Sequence, residues 1–414
     1  MGKTRQWLAG LLAALTLAGC ACFKTKAPAV SAPVPTAAPT ATAVPAPTPV
    51  PTPGSPARQL ALSVEQGGKK QPRLADGEPA TKVTFRQDAT VTVTADEPFA
   101  GLYLIFDRPV EWQLETGAGE SQLRGEQGFL HEYVELETPA AVARLLLPAG
   151  TTLCSVQAFT AGALPDWVQV WQAPCQRADL LVLPTHADDE HLWFGGALPY
   201  YAGERGLAVQ VAYMTNHWAE PYRPHELLNG LWTVGVRNYP VISDFPDLYA
   251  SKASLESAKR VYDEEAVTAW QVELLRRFKP SVVLGHDING EYGHGAHQLN
   301  TATLLAALEC SADPEQYPES ARLYGPWQVD KCYLHLWPEN TIQMEWGQMP
   351  LSAFGGRTAL EMAAAGFACH ASQTLWFSVK ASGANDCRKF GLAYTNVGPD
   401  EEKNDFFEHI ELSQ

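Results

Sequence analysis

Beyond residue 178, the sequence alternates between short, continuous apolar runs and longer amphipathic segments. The apolar runs lie at residues 179–183, 207–214 and 281–285. Their length and composition are typical of fully buried parallel strands. Helical patterns follow from about residue 190 and at residues 226–234, 255–278 and 296–308. This alternation predicts an α/β fold with a mostly parallel sheet, whose ligand sites lie at the carboxyl ends of the strands.

The region at residues 59–174 has a different pattern, in which polar and apolar residues alternate. Residues 89–95, ATVTVTA, are an example, and Gly, Pro and Asp turns separate the apolar runs. The pattern predicts a small all-β sandwich of about a hundred residues and resembles galactose-binding jelly rolls. Trp112, Trp167 and Trp171 are interpreted either as a platform that stacks on sugars or as core residues, which is the commoner role.

The N-terminus has the order of a bacterial export signal. Lys3 and Arg5 precede an apolar stretch that is too short to span a bilayer. The sequence LAGC at residues 17–20 resembles the lipobox of bacterial lipoproteins, and the resemblance implies cleavage before Cys20 and lipid attachment to its sulfur. Residues 20–58, rich in Pro, Ala and Thr, are typical of an extended tether. We therefore expect a protein that is attached by a lipid anchor to the outer face of the bacterial cytoplasmic membrane.

Charge and cysteine content restrict the classes of partner and site. The formal net charge is −16, so long-range electrostatics does not favour nucleic acid, and no feature indicates a protein partner. The eight cysteines of an exported chain predict disulfides, whereas the absence of a CxxC pair argues against a thiolate zinc site. We predict pairing between sequence neighbours: Cys154 with Cys175, Cys310 with Cys332, and Cys369 with Cys387.

A first cluster of polar residues, THADDE at residues 185–190, follows a predicted strand directly. A histidine and a carboxylate three residues apart, as in His186 and Asp189, can bind one Zn²⁺, which leaves the neighbouring Asp188 free to hold a water. Taken alone, the acidic residues at 188–190 are also explained as the first residues of a helix, where the helix dipole favours negative charge.

A second cluster, HDINGEYGHGAH at residues 286–297, also follows a predicted strand. Three histidines, two acids and a tyrosine among glycines are poorly suited to a packed core. His294 and His297 lie on one face if a helix has begun there. A catalytic zinc needs three protein ligands and an open water position, and His186, Asp189 and His297 would supply these ligands.

Together, HADDE and GEYGHGAH resemble the two signatures of the PIG-L (LmbE-like) zinc-dependent N-acetylglucosamine deacetylases, whose usual first signature is HPDDE. The resemblance covers residues 178–414 and implies a Rossmann-like, mostly parallel sheet. It includes further positions: Thr215, Arg223 with Glu226, Asp244 to Asp247, and His370 to Gln373.

The resemblance also implies roles for individual residues. His186, Asp189 and His297 would bind Zn²⁺, and Asp188 would be the general base that takes a proton from water. The remaining roles concern the substrate. His294 would be a charged donor that stabilises the oxyanion and a candidate to protonate the leaving nitrogen. Tyr292 would polarise the amide carbonyl, and Arg223 and Asp247 would contact the sugar.

Two positions depart from the usual signatures. Ala187 replaces the proline of HPDDE, and Asn216-His217 stands where an acid and a glycine are common after the threonine. The first change loosens a turn at little cost, because proline restricts backbone freedom. The second affects the expected substrate preference.

From these features we predict a surface lipoprotein that removes acetyl from N-acetylglucosamine-containing glycans, using zinc and releasing acetate. The location favours a wall, capsular or external glycan as its partner. Two alternatives remain open at this point. One is a surface carbohydrate-binding lipoprotein with an inactive hydrolase domain, and the other is a zinc hydrolase of a different amide. We place the boundaries at residues 1–19, 20–58, 59–174 and 175–414.

Overall fold

A computed structural model describes residues 55–117 and 121–412. The predicted signal peptide, Cys20 and most of the tether lie outside these residues. The described residues belong to one compact unit. Among them, no helix combines the length and the apolar character needed to cross a bilayer.

The alternating sequence at residues 59–159 forms a nine-stranded antiparallel sheet. Its strands are β1 (Gln59–Leu60), β2 (Leu62–Gln66), β3 (Lys69–Lys70), β4 (Val83–Thr84), β5 (Ala89–Phe106), β6 (Trp112–Thr116), β7 (Gln122–Arg124), β8 (His131–Leu147) and β9 (Thr152–Phe159). The long strands β5 and β8 pair along most of their length, with irregularities between Thr94 and Gly101. Side chains from both halves of β5, such as Val91 and Leu104, share one apolar core.

The three tryptophans of this region differ in burial. Trp112 lies in the core of the antiparallel sheet, and Trp171 lies in the core that surrounds the second sheet. Trp167 is half exposed and packs edge-on against Tyr103. Two of the three are therefore core residues, whereas sugar binding by this region and its independence as a domain remain predictions.

The apolar runs of the second half form a seven-stranded sheet, and the α/β class is confirmed. Its strands are β10 (Leu180–Val182), β11 (Val209–Tyr213), β12 (Val241–Ile242), β13 (Val282–Gly285), β14 (Lys331–His335), β15 (Thr341–Gln343) and β16 (Lys389–Thr395). They lie in the order β12-β11-β10-β13-β14-β16-β15, parallel from β12 to β14 and antiparallel at β16 and β15. Strands β10, β11 and β13 are buried on both faces, which explains their uninterrupted apolar sequences.

Helices cover the second sheet. They are α1 (Asp189–Leu192), α2 (Arg223–Thr233), α3 (Leu255–Lys259), α4 (Glu264–Phe278), α5 (Gly295–Ser311), α6 (Pro318–Tyr324) and α7 (Ala359–Ala368), with a π-helix at Leu198–Glu204. The single helix predicted at residues 255–278 is wrong, because the chain breaks it into α3 and α4. Tyr262 is buried in the break, and the Asp263 carboxylate accepts hydrogen bonds from the first turn of α4.

The predicted disulfides are also wrong. All six cysteines in the described residues are free thiols. Cys154 lies in β9 of the antiparallel sheet, whereas Cys175 and Cys332 belong to the core of the α/β sheet. Proximity in sequence does not bring two sulfur atoms to bonding distance when the intervening chain crosses a sheet.

A buried ion pair fixes the C-terminal segment to the sheet. Lys331 Nζ lies 2.5 Å from Asp400 Oδ1, and Tyr333 donates to the other oxygen at 2.7 Å. We expect Lys331→Met to lower the free energy of unfolding by about 3–5 kcal/mol, because Asp400 would lose its buried counter-ion. Chemical denaturation tests this. Lys259→Met is the control, since that lysine pairs with Glu264 near the surface and the expected change is at most about 1 kcal/mol. Equal losses in the two variants would contradict the prediction.

Candidate metal centre and catalytic site

Strands β10 and β13 are neighbours, and therefore their carboxyl ends bring the two polar clusters together. The backbone N–H of Thr185, after β10, donates to His286 Nε2, after β13, at 3.0 Å. The Asn300 amide, in α5, donates to Thr185 Oγ1 at 2.9 Å. These bonds join residues more than a hundred positions apart in sequence and fix the edge on which the site is built.

Three donor atoms of the predicted ligands face one another at this edge. His186 Nδ1 lies 3.0 Å from His297 Nε2, and Asp189 Oδ2 lies 3.3 Å from each of these nitrogens. All three residues are buried. The other Asp189 oxygen accepts from Trp193 Nε1 at 2.8 Å, and the His186 backbone N–H donates to Oδ2 at 2.7 Å. These bonds hold the carboxylate towards the two imidazoles.

The donor set fits a zinc ion. Bonds of about 2.0–2.1 Å at tetrahedral angles require ligand atoms about 3.3 Å apart, close to the separations here. Two imidazole nitrogens and a carboxylate oxygen are ordinary zinc ligands. Moreover, His297 Nδ1 is buried without a hydrogen-bond partner in the described residues, so its ring is oriented by packing against the parallel His286 ring, 4.3 Å away.

A second combination of donors is close enough to bind a metal. His294 Nδ1 or Nε2 falls within 4.8 Å of donor atoms of His186 and His297, which gives an all-histidine set. The His294 Nδ1 atom, however, accepts a hydrogen bond from the Ala296 backbone N–H at 3.2 Å. The Asp189 carboxylate makes the shorter contacts to the other two ligands, so the geometry favours the aspartate set.

Asp188 has an unusual backbone conformation beside this cluster, with φ at 111°. Such a conformation is costly for a residue with a Cβ. Burial raises the pKa of Asp188 well above its usual range, and the Asp189 charge adds to this, whereas Arg223 opposes it. The side chain lines a cavity, so a buried carboxylate with raised basicity faces space for a substrate.

His294 lies beside the same cavity in an uncharged form. Burial, together with His186 and His297, lowers its pKa to about 2. Because Nδ1 accepts from Ala296, the proton of the neutral ring is on Nε2. The predicted charged donor is therefore wrong in its charge, since two imidazoles surround His294 and disfavour a third positive group. A neutral N–H donor remains.

Tyr292 closes one side of the cavity. Its backbone is in the left-handed region, with φ at 46°, and its ring lies 5.7 Å from that of His294 between centroids. The ring is half exposed, and its hydroxyl stays protonated, because burial and the nearby aspartates raise its pKa. The structure thus brings Tyr292 together with the metal cluster as a hydroxyl donor.

Arg223 and Asp247, the predicted sugar contacts, both line the cavity and also support the cluster. An Arg223 guanidinium nitrogen donates to the Ala187 carbonyl and lies 3.9 Å from Asp188 Oδ1. An Asp247 oxygen lies 3.5 Å from His186 Nε2, on the side of the ring opposite the metal donors. Both residues therefore hold first-signature side chains in place in addition to facing the substrate space.

The residues at the two positions that differ from the usual signatures, Ala187 and His217, contact each other. The Ala187 backbone N–H donates to His217 Nε2 at 3.1 Å, a bond that a proline at this position lacks the hydrogen to make. His217 Nδ1 lies 3.5 Å from the second Asp247 oxygen. His217 is a site residue that was not predicted from the sequence. The signal for it was that both differences from the usual signatures, at Ala187 and at Asn216-His217, follow the ends of neighbouring strands.

A buried chain of polar residues lies beneath the metal cluster. His286 Nε2 lies 3.4 Å from Asp189 Oδ2, and Glu291 bridges His286 Nδ1 and His335 Nδ1 at 3.3 and 2.9 Å. The sequence indicated no role for His335, because its contact depends on the neighbouring position of β14 in the sheet.

His370 belongs to the looser match at residues 370–373, and it contacts Glu190 of the first signature. Its Nε2 is 3.0 Å from Glu190 Oε1, and both side chains are fully buried. Glu190 also accepts from the Asp188 backbone N–H at 2.8 Å. His370 therefore supports the turn that carries Asp188 and does not face the cavity.

The cavity itself has a volume of about 380 Å³ and opens to solvent. Carboxylates contribute strongly to its wall, through Asp188, Glu220 and Asp247, and the cations in the wall are Arg223 and Lys252. Apolar surface comes from Trp193 and Phe377. A cavity with a few convergent polar groups and some apolar wall is typical of a small-molecule site.

The antiparallel sheet contacts the loop that precedes α2. Arg108 donates to the Trp218 carbonyl at 2.6 Å, and its guanidinium lies 4.7 Å from the centre of the Trp218 ring. His131 Nε2 lies 2.9 Å from His225 Nδ1, and Tyr103 contacts the other His131 nitrogen at 2.7 Å. The antiparallel-sheet region thus contacts the chain at Trp218 and His225, on either side of Arg223 in the sequence.

The His131–His225 contact predicts a dependence of stability on pH. Burial, with some help from His225, lowers the pKa of His131 well below 6.5, and burial lowers that of His225 to about 4. Between about pH 6.5 and 4 the unfolded chain binds protons that the folded chain does not, so stability falls as the pH falls. We expect the difference in Tm between His225→Gln and the wild type to be smaller at pH 5 than at pH 7. A difference that stays constant would contradict this origin of the effect.

Part of this chain is similar to two curated deacetylases. The chain is 30% identical over 180 residues to 1D-myo-inositol 2-acetamido-2-deoxy-alpha-D-glucopyranoside deacetylase of Rhodococcus jostii, a match that covers 37% of this chain and 60% of the relative. The corresponding enzyme of Streptomyces avermitilis is 25% identical over 205 residues, with 44% and 68% covered. The chain thus spans about three fifths of the length of the first of these relatives.

No family model matches the sequence. Among solved structures, the chain is similar to the N,N'-diacetylchitobiose deacetylase from Pyrococcus horikoshii. That similarity has a TM-score of 0.37 and 16% identity, and it covers 49% of this chain and 73% of the other.

Proposed function

Because this chain is a homologue of the PIG-L (LmbE-like) deacetylases, we propose that it is a zinc-dependent hydrolase that removes the N-acetyl group from N-acetylglucosamine-containing glycans. The main support is the mutual approach of the His186, Asp189 and His297 donor atoms, within 3.3 Å, beside the buried Asp188 carboxylate. The names of the two relatives specify substrates that carry 2-acetamido-2-deoxyglucose, which agrees with the cavity's mixture of carboxylates and apolar wall.

Zinc bound to the three ligands would act as a Lewis acid and make water acidic enough to react at neutral pH. In the proposed reaction, Asp188 takes a proton from the water whose oxygen attacks the acyl carbon. His294 donates its Nε2–H to the oxygen that gains negative charge, and Tyr292 donates from the other side. The carbon–nitrogen bond then breaks as Asp188 passes its proton to the leaving nitrogen, giving acetate and a free amine.

In this proposal Asp188, and not His294, protonates the leaving nitrogen. A neutral imidazole is a weak acid, so His294 is suited to hydrogen bonding and poorly suited to protonating the amine. The Asp188 carboxyl, with a raised pKa, can hold the proton between the two steps. Arg223, 3.9 Å from Asp188 Oδ1, keeps the carboxylate oriented.

The direct test is acetate release from N-acetylglucosamine glycosides, oligomers and cell-wall fragments, with a free-amine assay on the same samples. We expect equal amounts of acetate and amine, and no release after chelation. Release of a different acid would favour a hydrolase of another amide. Absence of any product with zinc bound would favour a carbohydrate-binding protein with an inactive hydrolase domain.

The proposal also includes a location. The LAGC sequence at residues 17–20 supports lipid attachment at Cys20 and retention at the outer face of the cytoplasmic membrane, with a cell-surface or external glycan as substrate. We expect the wild type to incorporate radiolabelled fatty acid and Cys20→Ala to lose the label. Equal labelling of the two proteins would contradict lipid attachment without affecting the proposed chemistry.

A further inference from the structure

His217 is a buried polar side chain near the metal cluster that does not line the catalytic cavity. It follows β11, and only 3% of its side chain is exposed. The nitrogen atoms of a buried imidazole need partners, because an unpaired polar atom in the interior costs free energy. The partners of the two His217 nitrogens therefore indicate what this ring does.

The backbone fixes the tautomer of His217. Its Nε2 accepts a hydrogen bond from the Ala187 N–H at 3.1 Å, so the ring is neutral and its proton is on Nδ1. Nδ1 faces Asp247 Oδ2 at 3.5 Å. His217 consequently presents a fixed N–H to the Asp247 carboxylate.

Backbone contacts place Asp247 beside this N–H. The Asp247 N–H donates to the Asn216 carbonyl at 3.0 Å, and the Asn216 N–H donates to the Phe245 carbonyl at 2.8 Å. The Asp247 side chain is nevertheless 38% exposed. A partly exposed side chain loses rotamer freedom when it is held in one orientation, so a fixed partner is needed to keep it there. The buried His217 ring is suited to be that partner.

The other Asp247 oxygen is next to a metal ligand. Oδ1 lies 3.5 Å from His186 Nε2. The opposite nitrogen, His186 Nδ1, is the one that faces the other predicted ligands. A histidine that binds a metal through one nitrogen carries its proton on the other, and a carboxylate beside that proton orients the ring and makes it a stronger ligand. Asp247 lies where it can do this for His186.

We propose that His217 is a positioning residue for the metal: through Asp247 it orients His186 and increases the affinity of the site for zinc. This inference rests on the zinc site of the proposed function. Both ends of the Ala187–His217 contact differ from the usual signatures. A proline at position 187 has no N–H, and a glycine at position 217 has no ring, so the contact requires both differences. The two differences therefore act as one feature of this chain.

The test is the transfer of zinc from the loaded protein to a chromophoric chelator, which gives the Kd of the metal without any substrate. We expect His217→Phe, which keeps a ring but has no N–H, to raise the Kd about tenfold. His217→Gln has an amide that can both accept and donate, so its Kd should stay within about threefold of the wild-type value. His409→Phe is the control, since that histidine is partly exposed and lies outside the metal cluster.

A double-mutant cycle distinguishes action through Asp247 from a general effect on packing. Asp247→Asn should also raise the Kd about tenfold, and His217→Phe should add little in that background because the contact is already lost. A merely structural role of His217 would raise the Kd by the same factor in both backgrounds. Ala187→Pro gives a second cycle: it should weaken zinc binding in the wild type and have little effect in the His217→Phe background.

A wild-type Kd in His217→Phe, or equal losses with and without Asp247→Asn, would overturn the inference. Acetate release separates this result from a failure of the proposed function. If the Kd follows the two cycles but no substrate releases acetate, the positioning role stands and the proposed chemistry fails. If acetate release requires zinc but the Kd does not depend on His217, the chemistry stands and the positioning role is rejected.

Discussion

Asp188→Asn should reduce kcat for acetate release by about a thousandfold and leave zinc binding intact. The amide has the size of the carboxylate but cannot take a proton from water. Asp188 does not belong to the favoured donor set, because Asp189 makes the contacts to His186 and His297. The measurement is single-substrate kinetics together with metal analysis of the same preparation.

The control for this variant is Asp244→Asn, which changes an exposed carboxylate that lies outside the cavity lining. We expect it to have wild-type kinetics. Loss of zinc in Asp188→Asn, with activity restored by added metal, would mean that Asp188 is a ligand and that the base is another group. Near-normal turnover would exclude Asp188 as the base.

His297→Ala should lose both zinc and activity. Removing one of three protein ligands leaves His186 and Asp189, too few donors for a stable catalytic site. We expect much less than one zinc per chain after dialysis and a fall in kcat/KM of about a thousandfold or more. His409→Ala is the control, since that histidine is partly exposed, pairs with Glu408 and lies outside the metal cluster.

The two possible donor sets make opposite predictions for two further variants. With the aspartate set, Asp189→Ala loses zinc, whereas His294→Gln keeps zinc and loses rate. With the all-histidine set, His294→Gln loses zinc. Metal analysis after dialysis distinguishes them, and zinc retention by Asp189→Ala would contradict the ligand assignment made here.

The meeting of the two signatures was predictable from the sequence. Each cluster follows a continuous apolar run, and parallel neighbouring strands end at one edge of a sheet. The sequence therefore predicted which residues would approach one another around His186 and His297, but not the uncharged state of His294. That state depends on the two imidazoles and the burial around it, which arise only after folding.

Other features depend on packing that no local pattern encodes. The amphipathic period continues through residues 255–278, so the break at Tyr262 became visible only with its burial against neighbouring elements. His217 forms no motif of its own, because its partners Ala187 and Asp247 come from separate parts of the chain. Similarly, the cysteines are free thiols because the fold separates residues that are close in sequence, and cysteine spacing alone does not predict that separation.

A zinc titration of the chelated protein measures how many metal ions the reaction needs. We expect acetate release from N,N'-diacetylchitobiose to be absent without metal, to rise linearly with added zinc and to reach its maximum at one equivalent per chain. Asp188→Asn should bind the same equivalent without activity. Release of acetate by the metal-free protein, or a maximum that requires two equivalents, would contradict a single catalytic zinc held by His186, Asp189 and His297.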